Sequence, residues 1–154
     1  MDAAPIDVAS GRELASWGRR LAALLVDGAI LGGIVVVTLL VSGIPLEDVN
    51  STILEGSSLA LILIFVLPKA IYDTALIGSR NQTFGKMALH IQVVDEIDRV
   101  TPIGYMRAFR RWLSTAFLWA LFTVPGVLDH LWPLRDRRRQ TFHDKFARSV
   151  VVRT

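Results

Sequence analysis

Residues 21–41, LAALLVDGAILGGIVVVTLLV, are 21 consecutive residues with one charge, Asp27. A helix needs roughly 20 apolar residues to cross a bilayer, so this stretch sets the class of the molecule. The whole chain of 154 residues agrees with it, at 52% hydrophobic and 20% charged residues and a mean hydropathy of +0.45. Soluble domains carry about 25% charged residues. An ordinary soluble globule is therefore excluded. Ahead of the block, residues 1–18 mix Asp2, Asp7 and Glu13 with Arg12 and end near Trp17. This acidic leader and the length of the block do not fit a cleaved signal, nor does the Arg19-Arg20 pair make a twin-arginine leader of it. The expectation is an uncleaved first helix over 19–41, with Trp17 as an interfacial anchor.

Working outward, Ser42-Gly43 and Pro45 end this helix, and 42–58 is an acidic loop holding Glu47, Asp48 and Glu55. Residues 59–77 form a second apolar block, kinked or already interfacial from Pro68 onward, and Gly78-Ser79-Arg80-Asn81 breaks it. Residues 78–112 are polar and basic, with one β-branched run at Ile91-Gln92-Val93-Val94. A third apolar segment, 113–134, is interrupted by Pro125-Gly126, and 135–154 is a basic tail ending in Val150-Val151-Val152. No internal repeat is apparent. The fold expected is one all-α membrane domain over 1–154 with two full transmembrane helices, the third segment, and a small cytoplasmic β element. The β element follows from the two β-branched runs, since each alone would leave an unpaired edge and pairing them satisfies both.

Lys and Arg mark the cytoplasmic side of short loops. Three lie in 1–20, none in 42–58, six in 78–112 and seven in 135–154. The N-terminus and the 78–112 loop are thus expected inside a plasma membrane that the chain crosses more than once. A single crossing by 113–134 would put the basic tail outside, and two crossings need about 40 residues. A re-entrant hairpin bending at Pro125-Gly126 keeps the tail cytoplasmic; a third span with an external tail is the alternative.

Arg20 and Asp27 lie two helical turns apart on one stripe, about 10.5 Å by rise. They read either as an internal charge pair, with Gly28, Gly32 and Gly33 admitting a second helix, or as a site in which Asp27 binds a cation or proton. Lys69 and Asp73 form an i,i+4 pair. Asp129 reads as interfacial. Thr141 reads as a helix cap with Asp144 in the first turn, and His143 and Asp144, being adjacent, are expected to point apart.

The segment Arg19-Arg20-Leu-Ala-Ala-Leu-Leu-Val-Asp27 resembles the opening of the RDD family of small bacterial membrane proteins. The stretch Asn81-Gln-Thr83-Phe-Gly85-Lys86-Met-Ala-Leu-His-Ile-Gln-Val-Val-Asp95 resembles that family's loop, and Arg138-Arg-Gln-Thr-Phe-His143-Asp144-Lys-Phe-Ala-Arg-Ser-Val-Val-Val152 its closing motif. The three occur in family order over 17–152. The resemblance implies a name-giving arginine and two aspartates at Arg20, Asp27 and Asp144, with Asp73 competing for the last place. It also makes His143, Thr83, Gly85 and Lys86 motif positions. Where the family commonly has Ala-Gly-Thr, this chain reads Ala147-Arg148-Ser149. Proposed activities of such proteins include transport of an unknown ligand and sodium or proton antiport.

No enzyme is expected. The chain has no cysteine, no Gly-x-Ser-x-Gly elbow and no metal-ligand spacing among His90, His130 and His143. Phe84-Gly85-Lys86 lacks the partners of a phosphate loop. No cofactor or metal is expected. Arg135, Arg137, Arg138 and Arg139 are expected to contact anionic lipid headgroups rather than nucleic acid, because they follow a membrane segment directly. The expected function is a non-enzymatic accessory or assembly subunit that packs against a larger membrane complex or against itself. The alternative is a homo-oligomeric cation/proton antiporter or small-solute transporter using Asp27.

Overall fold

The computed structural model describes residues 11–42, 66–121 and 123–154. Most of the loop expected to be external and the start of the second apolar block lie outside these residues. The chain is mostly helical, with one small sheet. Helix α1 runs Trp17–Ser42, with no proline to interrupt it, and Ser16 Oγ receives the Arg19 N–H at its start. Its span is long and apolar enough to cross a membrane, with mean hydropathy 2.5, and only 6% of its most apolar stretch is buried inside the molecule.

Helix α2 is Leu67–Arg80. Pro68 sits in its first turn, where a missing N–H leaves no bond unmade, so the proline does not kink this part. The break expected at Gly78 comes later. The helix continues to Arg80 and closes on left-handed Asn81, whose N–H returns to the Ile77 carbonyl. Gly78 serves a close approach instead, since a Cβ there would stand 2.4 Å from the Tyr105 ring. Tyr105 belongs to α4, Gly104–Leu121, which starts well inside the stretch read as a loop. Between them lie α3, Phe84–Ala88, and β1, Ile91–Asp95. After α4 come α5, Thr123–Leu131, a 3-10 turn, Trp132–Leu134, α6, Phe142–Phe146, and β2, Ser149–Arg153. Helix α5 folds back on α4, and a Cβ on Gly126 would stand 2.5 Å from the Trp119 indole. The third apolar segment therefore doubles back within the described residues, and Gly126 lies at the contact rather than at the bend.

Strands β1 and β2 pair antiparallel as their β-branched residues require, with Val93 opposite Val151 and Val94 opposite Val150. Both outer edges are covered. The N-terminal segment bonds along β2 (Ala15 N to Val151 O and Arg153 N to Glu13 O, both 2.9 Å), and Pro102 bridges to Val94. The sheet's valines are fully buried, with Ala15, Ile77, Ile91 and Ile103 on one side and Leu14 on the other. The hydrophobic core sits here, around the first turns of α1, and brings the N-terminal segment, the central loop and the tail into one unit.

Candidate functional site: two capped turns on one helix

Residues 81–95 and 139–153 are the same local structure twice, which corrects the reading that the chain has no internal repeat. Each begins with a left-handed residue (Asn81, φ 59°; Arg139, φ 51°) and continues Gln-Thr-Phe. In each the threonine caps a five-residue helix, α3 from Thr83 and α6 from Thr141. A second left-handed residue follows (His90, φ 53°; Arg148, φ 49°), then a five-residue strand. The glutamines repeat too, Gln82 Nε2 reaching the Ile91 carbonyl at 2.9 Å and Gln140 Nε2 the Ser149 carbonyl at 3.0 Å. The first residue of each strand faces the last of the other, so the halves are related by a local two-fold axis at Val93–Val151. Only Gln-Thr-Phe and Val-Val are shared in sequence, which is why the repeat is hard to see there.

Each turn closes on a buried aspartate from a neighbouring helix. Asp27 of α1 receives the Gly85 N–H at 2.7 Å, and Asp129 of α5 receives the equivalent His143 N–H at 3.1 Å. Asp27 also accepts from the Tyr72 hydroxyl at 2.6 Å and the Thr83 hydroxyl at 2.5 Å, with Lys86 Nζ at 3.9 Å. The fit needs glycine at 85: a Cβ there would lie 2.2 Å from the Ala23 carbonyl and 2.8 Å from Asp27 Cγ.

Arg20 does not pair with Asp27. Its Nη1 donates to Asp144 Oδ2 at 2.6 Å, and Arg111 holds the other oxygen of the same carboxylate. Two turns of helix separate Arg20 from Asp27, and each finds a nearer partner in the unit wrapped around α1. Asp144 also completes the capping box with Thr141. Burial pushes the Asp144 carboxyl up, but Arg111 and Arg20 outweigh it and hold the group well below the usual carboxylate range. Asp73, the competitor, pairs with Lys69 at 2.7 Å.

His143 and Asp144 do not diverge but share this network, with His143 Nε2 3.6 Å from Asp144 Oδ1. Arg111 Nη2 lies 3.2 Å from His143 Nε2, and His143 Nδ1 lies 2.5 Å from Asp129 Oδ2. Since the guanidinium can only donate, the ring proton is assigned to Nδ1, facing Asp129. Burial, then Arg111, lowers the His143 pKa, so the ring is neutral. Asp129 is fully buried in this network, not interfacial as the sequence suggested. Tyr72, Arg111 and Asp129 were the residues missed. The signal available for Asp129 was an acid inside an apolar run.

Of the basic tail, Arg135, Arg137 and Arg138 are exposed. Arg138 reaches Glu96 at 2.5 Å, and Arg139 occupies the left-handed turn before Gln140. Beside the two capped turns lies a cavity of about 690 Å³ between α1, α2 and α4, with Arg20, Asp27, Lys86 and His143 on its wall. Both nitrogens of His143 are engaged, and Asp27 already accepts from three donors. Among the described residues no cluster of His, Asp or Glu is arranged to hold a metal.

A model of the RDD family matches residues 14–148, which include Arg20, Asp27, both Gln-Thr-Phe turns and Asp144. No curated protein and no solved structure matches the chain.

Proposed function

The chain belongs to the RDD family, and from that premise we propose that it is a non-enzymatic accessory or assembly subunit, anchored by α1 and packing against a larger membrane complex. One observation carries this reading: the family's arginine and aspartates bind one another and the chain's own turns. Asp27 accepts from Tyr72, Thr83 and Gly85, and Asp144 is clamped by Arg20 and Arg111. These bonds tie the unit onto α1, while only 6% of that helix's most apolar stretch is buried inside the molecule. The topology we propose has the N-terminus, the 78–112 segment and the tail on the cytoplasmic side, with the third segment re-entrant. In its support, all three cytoplasmic pieces meet around one sheet, and α5 doubles back on α4.

The alternative, a homo-oligomeric cation/proton antiporter, has in its favour that Asp27 lines the cavity. Gentle detergent extraction at native expression, with mass measurement and identification of co-purifying chains, separates the two. Stoichiometric foreign subunits are expected. A clean homo-oligomer whose proton flux in vesicles depends on sodium or potassium and vanishes in Asp27→Asn would overturn the subunit reading.

A further inference from the structure

We propose that the cavity between α1, α2 and α4 holds one membrane phospholipid, with its phosphate at Lys86 and an acyl chain along the apolar wall. Three helices each turn one face toward this space without filling it. On α4 the face is Trp112, Ala116, Trp119 and Ala120, at spacings of three and four residues. Leu21 and Leu24 face it from α1, and Val66 from the start of α2. Protein interiors are close-packed, with few voids larger than a water molecule. A space of about 690 Å³ between helices matches the size of a ligand site rather than a packing defect.

The polar wall identifies the head group. Arg20, Lys69 and Lys86 line it, against Asp27 and Asp73. Asp27 is already satisfied by three donors, and Asp73 holds Lys69. Lys86 is the cation left short: its Nζ has the Thr83 hydroxyl at 3.3 Å and Asp27 only at 3.9 Å. Burial and then Arg111 push its pKa down, against Asp73 and Asp27, which raise it. What Lys86 Nζ lacks is an acceptor oxygen nearer than 3.3 Å, and a phosphate supplies one. What the opposite wall lacks is apolar volume, and an acyl chain supplies that. Free phosphate meets only the first need. A neutral diacylglycerol meets only the second.

The test uses the full chain purified in detergent and titrated with dioleoyl phosphatidylglycerol, with bound lipid counted by native mass spectrometry. Dioleoylglycerol and inorganic phosphate are the comparison probes. One saturable adduct per chain is expected, at least about tenfold tighter than dioleoylglycerol, since a hydrogen bond between charged groups is stronger than one between neutral groups. Lys86→Met should weaken it about tenfold by removing the charge. Ala116→Phe should weaken it comparably by filling the apolar wall, at unchanged helix content. Equal retention of the two lipids would overturn the proposal on the unmodified chain alone. So would displacement of the phospholipid by millimolar inorganic phosphate, which would assign the polar wall to a free anion. Retention unchanged in both variants would move the lipid elsewhere. Each readout is made on the isolated chain, so its failure leaves the subunit reading standing.

Discussion

Beyond Gly28, α1 presents Ile34, Val36, Val37, Leu40 and Val41 to the outside, and no titratable residue occurs from there to Ser42. The first three turns of the same helix do the reverse. They set Arg20 and Asp27 against a unit that buries Asp129, His143 and Asp144 beside its valines. One helix thus has an apolar outside at one end and a charged inside at the other. In water this would be unstable at the outer end; in lipid the outer end needs no cover, and only the polar groups must be matched internally. The contrast explains why the charged half carries tertiary contacts among the described residues, while the apolar half suits a lipid environment.

The strongest way to break this contrast is to strip the charged half of its central anion. Asp144→Ala leaves Arg20 and Arg111 buried without their shared carboxylate, and a loss of about 3–5 kcal/mol is expected in thermal or denaturant unfolding of the detergent-solubilised chain. A loss below 1 kcal/mol would mean that the network is wet and contributes little. Gly85→Ala comes next. Its Cβ meets the Ala23 carbonyl, which is backbone and cannot swing away, so α3 must move off α1. Overpacking of this kind costs about 1–3 kcal/mol, and hydrogen exchange at Gly85 and Lys86 should accelerate.

Acid acts on the inner half alone. His143 is held below its ordinary pKa, so the unfolded chain takes up its proton first and stability falls as pH drops below about 6.5. Asp144 is also held low, so its contribution is complete above the usual carboxylate range and drains away as pH falls toward the folded value. Melting temperature should therefore decline steadily from pH 7 to pH 4, and the His143→Gln variant should lose the upper part of that decline. The smallest effect concerns Arg148, a non-glycine residue held left-handed at φ 49°. Arg148→Gly should stabilise the chain by about 0.5–1 kcal/mol, because only glycine adopts that conformation without strain.

Much of this architecture was legible in the sequence. A long apolar run with one charge reads as a membrane helix from composition alone. Two β-branched runs with nothing else to pair with read as one sheet, and the observed register joins them. Thr141 and Asp144 read as a cap because the capping box is local. The partners of the charges were not legible, because helical spacing shows which residues share a stripe and says nothing of what folds onto it. Arg20 and Asp27 share a stripe, yet each binds a segment far away in sequence. Asp129 looked interfacial for the same reason: the His143 that engages it arrives only when the tail docks. The doubled Gln-Thr-Phe turn escaped notice because its identity lies in backbone angles more than in side chains.

The central claim is that Arg20 and Asp27 each tie α1 to the unit around it, not to one another. A pair of double-mutant cycles on thermal stability of the full chain in detergent tests this most directly. Arg20→Met combined with Asp144→Asn should show a coupling of about 1 kcal/mol or more, whereas Arg20→Met combined with Asp27→Asn should be additive within about 0.5 kcal/mol. Strong coupling between Arg20 and Asp27, with none between Arg20 and Asp144, would contradict the account.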